Sequence, residues 1–272
     1  MRYEDSVPVL VRILTVALCA GGAIGAITSF LLIKGGWPWP MPDLAYRFLA
    51  GAAVAYAVSS AIALTRRGWA ESEILLATVV LYGVPLGVAM LLQPGPVDWS
   101  KPVAWGFVGL VIPALLISSG ALWINRGILA GESPDPLPSR LRWLLGVIAV
   151  AGAVVGLLVF AVPREAGFVW PWAELGPWKA LDSRLLASML LTIGGAAALV
   201  AWRNRQAMAD IFLPMLWGYC IVASAGLVIH AVDTPAMRTE DLVYVAVFSL
   251  IAISTFLLYV PQRITGHRQQ QA

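Results

Sequence analysis

Trp37-Pro38-Trp39 occurs a second time, as Trp170-Pro171-Trp172. Each copy lies between two long apolar segments. Each is followed, after a short spacer, by an arginine at the start of the next segment, Arg47 and Arg184. Proline removes a backbone donor and fixes φ, so the triplet stays out of the helices on either side. Reading outward from these bends divides the chain into two comparable halves.

The 272 residues are 60% hydrophobic and 12% charged, with mean hydropathy +0.81. A soluble domain carries roughly 25% charged residues. Too few charges remain here to coat a water-facing surface, so lipid is the solvent for most of the chain. The net charge of +3 comes from short loops and not from a basic patch, which argues against nucleic acid as a partner. Cys19 and Cys220 both fall inside apolar segments and read as packing residues. The run from Val9 to Ile33 is longer than the apolar core of a signal peptide. It also has a counterpart at Leu141 to Val162, so it is expected to be a permanent helix.

A spanning helix needs about 20 apolar residues. Eight segments qualify, near 9–33, 44–65, 74–92, 102–124, 141–162, 185–202, 211–231 and 242–261. Lone strands cannot satisfy their backbone in lipid, so all eight are predicted to be helices. With an even number of crossings, both termini lie on one side. That side carries eleven basic residues against seven on the other, which predicts a cytoplasmic location for both termini. Trp37, Trp39, Trp99, Trp105, Trp170, Trp172 and Trp178 then fall at the outer face, where indoles settle at headgroup depth.

Laying residues 1–128 on 129–272 aligns the two Trp-Pro-Trp triplets, Gly21 and Gly25 with Gly152 and Gly156, and Arg47 with Arg184. It also aligns Arg66 with Arg203, Glu73 with Asp210 and Tyr82 with Tyr219. At an offset one residue smaller, Ser118-Ser119 meets Ser254-Thr255. The expected fold is therefore an all-α membrane protein of eight transmembrane helices, arranged as two tandem four-helix repeats in parallel orientation. Four helices per repeat give both halves the same orientation and an axis along the membrane normal.

Several groups are candidates for function. Trp37, Trp39, Trp170, Trp172 and Trp178 either anchor the outer bends or form an aromatic box for a ligand or lipid headgroup. Arg47 and Arg184 can snorkel to lipid phosphate or hold an anion bidentately. Tyr82 and Tyr219, mid-helix, are candidates to line a cavity between the halves, since a phenol at that depth wants a partner. The glycine pairs at 21/25 and 152/156 are expected to pack helices within the chain. Arg66 with Glu73, and Arg203 with Asp210, are expected to pair within their own half.

No Asp, Glu, Lys or Arg lies in the central part of any segment, which argues against a proton or sodium relay. Two histidines alone do not make a haem or metal centre. No catalytic motif is present and no cofactor is implied. The Trp-Pro-Trp loops, each leading to a helix-opening arginine, resemble the W-P-W loop of uncharacterised bacterial multi-pass membrane proteins; the resemblance implies a bacterial inner-membrane protein and carries no activity. The sequence therefore points to a non-enzymatic polytopic protein: a scaffold, a partner subunit or a permease-like protein. Its expected partners are membrane lipids, with a membrane-protein partner or a second copy as a further option. Two other readings stay open, a membrane enzyme acting on a lipid or lipid-linked substrate at the outer leaflet and a facilitator for a small neutral solute.

Overall fold

The computed structural model describes residues 7–33, 37–66, 68–127, 135–163, 179–233 and 239–270. They form eight helices: α1 (Val9–Phe30), α2 (Asp43–Thr65), α3 (Trp69–Leu92), α4 (Pro102–Ile124), α5 (Ser139–Ala161), α6 (Lys179–Arg203), α7 (Gln206–Asp233) and α8 (Thr239–Gln270). All eight are long and apolar enough to cross a membrane. The chain is a polytopic membrane protein.

Prolines set several of the helix starts. Pro8, Pro42 and Pro138 occupy the N-cap positions of α1, α2 and α5, and Pro102 opens α4. A proline there has no N–H to leave unsatisfied, and its φ is already suited to helix entry. The carbonyls of Pro8 and Pro138 accept from the backbone N–H of Arg12 (3.1 Å) and Arg142 (2.9 Å).

The helices α3, α6, α7 and α8 begin earlier than the apolar segments do, and α8 ends later. The extra turns contain Glu73, Asp182 and Asp210. A helix needs its backbone bonded, not its side chains apolar, so it continues past the hydrocarbon boundary.

Helices α2, α3, α6 and α7 form the centre, and α1, α4, α5 and α8 lie outside them. Helix α2 packs on α7 and α3 on α6, joining the first four helices to the last four, while α1 lies on α2, α5 on α6, α4 on α3 and α8 on α7. Most of the buried polar side chains lie at this centre. Ser59, Ser60, Glu73, Thr78, Asp182, Ser188, Thr192 and Asp210 are all buried, and all lie on the central four helices. Lipid cannot satisfy them, whereas a neighbouring helix or their own backbone can. Thr78, Ser188 and Thr192 donate to carbonyls one turn earlier at 2.7 Å, and the Tyr56 hydroxyl crosses from α2 to the Thr78 carbonyl at 2.9 Å.

Apolar burial does not pull helices together inside lipid; close backbone approach does. Gly152 on α5 and Gly194 on α6 meet backbone to backbone. A Cβ on Gly194 would lie 2.7 Å from the Ala153 nitrogen. Gly156 packs on Leu191, so the second glycine pair works as expected. The first pair does so only through Gly25, where a Cβ would lie 3.5 Å from the Ala53 Cβ. Gly21 faces open space, and Gly22 makes the contact instead: a Cβ there would lie 2.8 Å from the Ala53 carbonyl oxygen. Spacing alone cannot say which of two adjacent glycines faces the neighbour.

Candidate functional site

Two layers of polar contacts bridge the first four helices to the last four. One lies on the side of the termini and one on the side opposite.

On the opposite side, Trp39 and Asp182 are each 1% exposed. The Trp39 indole N–H donates to Asp182 Oδ1 at 2.9 Å, a bond between the loop before α2 and the first turn of α6. Trp37 and Trp39 meet edge to face at 5.5 Å, and both rest on Phe107 of α4. The Pro38 carbonyl accepts from the Asp98 N–H at 3.0 Å, tying the α3–α4 connection onto the same bend. Asp98 is in turn held by the Ser100 hydroxyl at 2.6 Å and Lys101 at 3.3 Å. Ser100 first, then Lys101, keep its carboxyl below the usual carboxylate range. With the folded value depressed, this turn is stabilised above the unfolded pKa and loses that support as pH falls through the folded one.

Trp39 is thus a core residue and not a headgroup anchor. The exposed pair Trp99 and Trp105, 5.5 Å apart, faces outward instead. Trp170, Trp172 and Trp178, the tryptophan candidates of the second bend, lie outside the described residues.

Arg47 is 7% exposed, one turn into α2. Its Nη2 donates to Asp233 Oδ2 at the end of α7, at 2.8 Å. Gly226 makes room for its stem, since a Cβ there would sit 2.8 Å from the Arg47 Cβ. Its Nη1 is buried without a hydrogen-bond partner among the described residues. Arg184, aligned with it in sequence, has a different task. Its Nε donates to the Phe160 carbonyl at 3.0 Å, near the end of α5, where a cation also complements the helix dipole.

The chain matches no family, no curated protein and no solved structure. Its function has to be argued from these contacts.

On the side of the termini, Arg203 at the end of α6 pairs with Glu73 on α3 at 2.8 Å. Arg66, just after α2, lies 3.9 Å from Asp210 on α7, and Asp210 also accepts from the Tyr259 hydroxyl. The expected pairing was Arg66 with Glu73 and Arg203 with Asp210. The structure crosses it, because α2 packs mainly on α7 and α6 on α3, while α2 meets α3 of its own hairpin chiefly through Tyr56. Between the two layers, Gly51 lies against the Tyr219 backbone. Tyr219 is fully buried with its hydroxyl unpartnered among the described residues. Tyr82 is half-buried beside Tyr56, ring centroids 6.0 Å apart. Among the described residues no three His, Cys, Asp or Glu side chains converge on a metal position.

Asp182 escapes a search for apolar segments, because an acid in the first turn of a spanning helix looks like part of the loop. Its signal is that it precedes, by two residues, an arginine already singled out. Replacing Trp39 with Phe keeps a ring but removes the only side-chain hydrogen bond that Asp182 receives among the described residues. An expected loss of about 1–3 kcal/mol follows from the stranded buried acceptor. The loss should be largely recovered by adding Asp182→Leu, which removes the stranded acceptor, read out as thermal stability in detergent.

Proposed function

We propose that this chain is a static membrane scaffold, two tandem four-helix repeats joined about an axis along the membrane normal, and that it carries no enzymatic activity. One observation carries the reading: the seam between the halves is bridged on both sides. Arg203–Glu73 and Arg66–Asp210 span one side, Arg47–Asp233 and Trp39–Asp182 the other. A carrier that works by rocking needs one side open at a time.

The repeat reading is supported by matching burial. At a constant offset of 137, Leu44, Phe48, Ser59 and Ala63 on α2 are buried as are Leu181, Leu185, Ala196 and Val200 on α6. Glu73, Leu86 and Ala89 match Asp210, Ala223 and Gly226, and Ser118 matches Thr255. In α1 and α5 the supporting offset is 130, pairing Val11 with Leu141, Arg12 with Arg142 and Gly22 with Gly152, one residue from the alignment by glycine pairs. The basic-residue bias and the Trp-Pro-Trp likeness support a bacterial inner membrane with cytoplasmic termini. The outer helices α1, α4, α5 and α8, with apolar faces open, are the surface left for lipids, partner helices or a second copy.

Proteoliposome swelling tests the reading. A scaffold should admit small neutral solutes no faster than empty liposomes. A raised rate that falls on Tyr82→Phe would replace the scaffold with a facilitator. A disulfide across the seam, Gly51→Cys with Ala223→Cys, should leave assembly with any partner intact, whereas a moving protein would lose its activity when locked.

A further inference from the structure

Two grooves open at the terminus side, and they occupy the same place in the two halves. The first, of about 520 Å³, lies between the start of α5 and the end of α6 and is lined by Ser139, Arg142, Trp143, Gly146 and Trp202. The second, of about 290 Å³, lies between the start of α1 and the end of α2 and is lined by Arg12, Thr15, Val16, Leu64, Arg66 and Ser72. Arg12 is the fourth residue of α1 and Arg142 the fourth of α5. Each groove therefore has an arginine at the same depth, one turn into its helix, where headgroups meet hydrocarbon. Among the described residues no carboxylate lines either groove.

The arginines have spare capacity. Arg142 Nε donates to the Ala201 carbonyl at 3.0 Å, which fixes its guanidinium over the end of α6. Neither of its Nη nitrogens has a partner among the described residues, and the same holds for the whole Arg12 guanidinium. Arg66 reaches Asp210 only at 3.9 Å and is 48% exposed. Trp143 and Trp202 are 79% and 72% exposed, beside the first groove. In the first groove, a cation one turn into its helix, flanked by indoles and by a mostly apolar lining, matches a phospholipid in both its parts: phosphate to guanidinium, glycerol and upper acyl chain to the groove, rings at the interface. The second groove has no indole and a lining about as polar as apolar, but offers two guanidiniums, Arg12 and Arg66, to one phosphate.

We infer that each half holds one anionic phospholipid of the terminus-side leaflet, with its phosphate on Arg142 in one groove and on Arg12 and Arg66 in the other. The lipids would fill the notches that open between paired helices at their ends. This site lies on the opposite side of the membrane from Arg47 and Arg184, and it does not depend on the scaffold reading.

The test is native mass spectrometry of the purified full chain, titrated with phosphatidylglycerol and, separately, with phosphatidylcholine of the same acyl chains. The wild type is expected to keep two phosphatidylglycerols with a roughly tenfold preference over phosphatidylcholine, because both lipids offer a phosphate but the choline cation of the second is repelled by the arginines, an effect on the scale of one charge-assisted contact. Arg142→Gln should keep one, Arg12→Gln with Arg66→Gln should keep the other one, and the triple variant should show no preference. Equal retention of the two lipids by the wild type overturns the proposal without recourse to any variant. So does an undiminished phosphatidylglycerol count in a triple variant that runs as a single species on size exclusion.

Discussion

Leucine in place of Gly194 should prevent α5 from docking on α6. The Cβ alone would lie 2.7 Å from the Ala153 nitrogen and 3.0 Å from the Ala149 oxygen and the Gly152 carbonyl carbon. These are backbone atoms of a helix, which cannot rotate aside as a side chain can. The two helices must separate, and with them go the Gly152 contact and the packing of Gly156 on Leu191. Overpacking typically costs about 1–3 kcal/mol, and a leucine against rigid backbone belongs at the upper end, about 3 kcal/mol. Gly194→Ala should already show part of the loss. Gly21→Leu, whose Cβ meets nothing within 4 Å, should change stability by less than about 0.5 kcal/mol. Unfolding in a denaturing-detergent titration, with monodisperse yield beside it, measures all three. Equal tolerance at positions 194 and 21 would refute the close packing of α5 on α6.

Reversing the charge of Glu73 should destabilise the chain by about 2 kcal/mol, because Arg203 would then face a second cation where it is only 30% exposed. The informative result is which second substitution repairs it. Glu73→Arg with Arg203→Glu should recover most of the loss, since it restores one cation and one anion at 2.8 Å. Glu73→Arg with Arg66→Glu should recover none and should fall further, as it places a carboxylate beside Asp210. Pairing within each half predicts the opposite order. Two double-mutant cycles, completed by the single variants Arg203→Glu and Arg66→Glu, separate the two arrangements. They do so at any ionic strength, although salt will shrink the partly exposed Arg66–Asp210 contribution first.

Both results bear on how much of this protein could be read before its structure. The eight membrane-length helices were legible because hydrocarbon imposes a length and a composition on each segment separately. The residues that matter at the seam were partly legible too. Arg47, Arg66, Glu73, Arg203, Asp210, Tyr82 and Tyr219 stand out as polar groups in an apolar chain. Their partners were not legible. Arg47 and Arg184 look equivalent, yet one reaches across to Asp233 and the other caps α5. Trp39 looks like an interface anchor, yet it is buried on Asp182.

The physical reason is the solvent. In water, a helix shows its packing face by an apolar stripe. In lipid, the outside is as apolar as the interior, so that stripe is nearly lost and the facing of a helix is decided by small residues and a few hydrogen bonds. Which of Gly21 and Gly22 touches α2, and which acid each arginine meets, depends on the rotation and order of all eight helices together. By itself the sequence determined eight segments long and apolar enough to cross a membrane, and where the polar groups lie along each of them. Only the tertiary structure decided that α2, α3, α6 and α7 form the centre, because pairing on α7 and α3 lets the buried charges of one half meet those of the other.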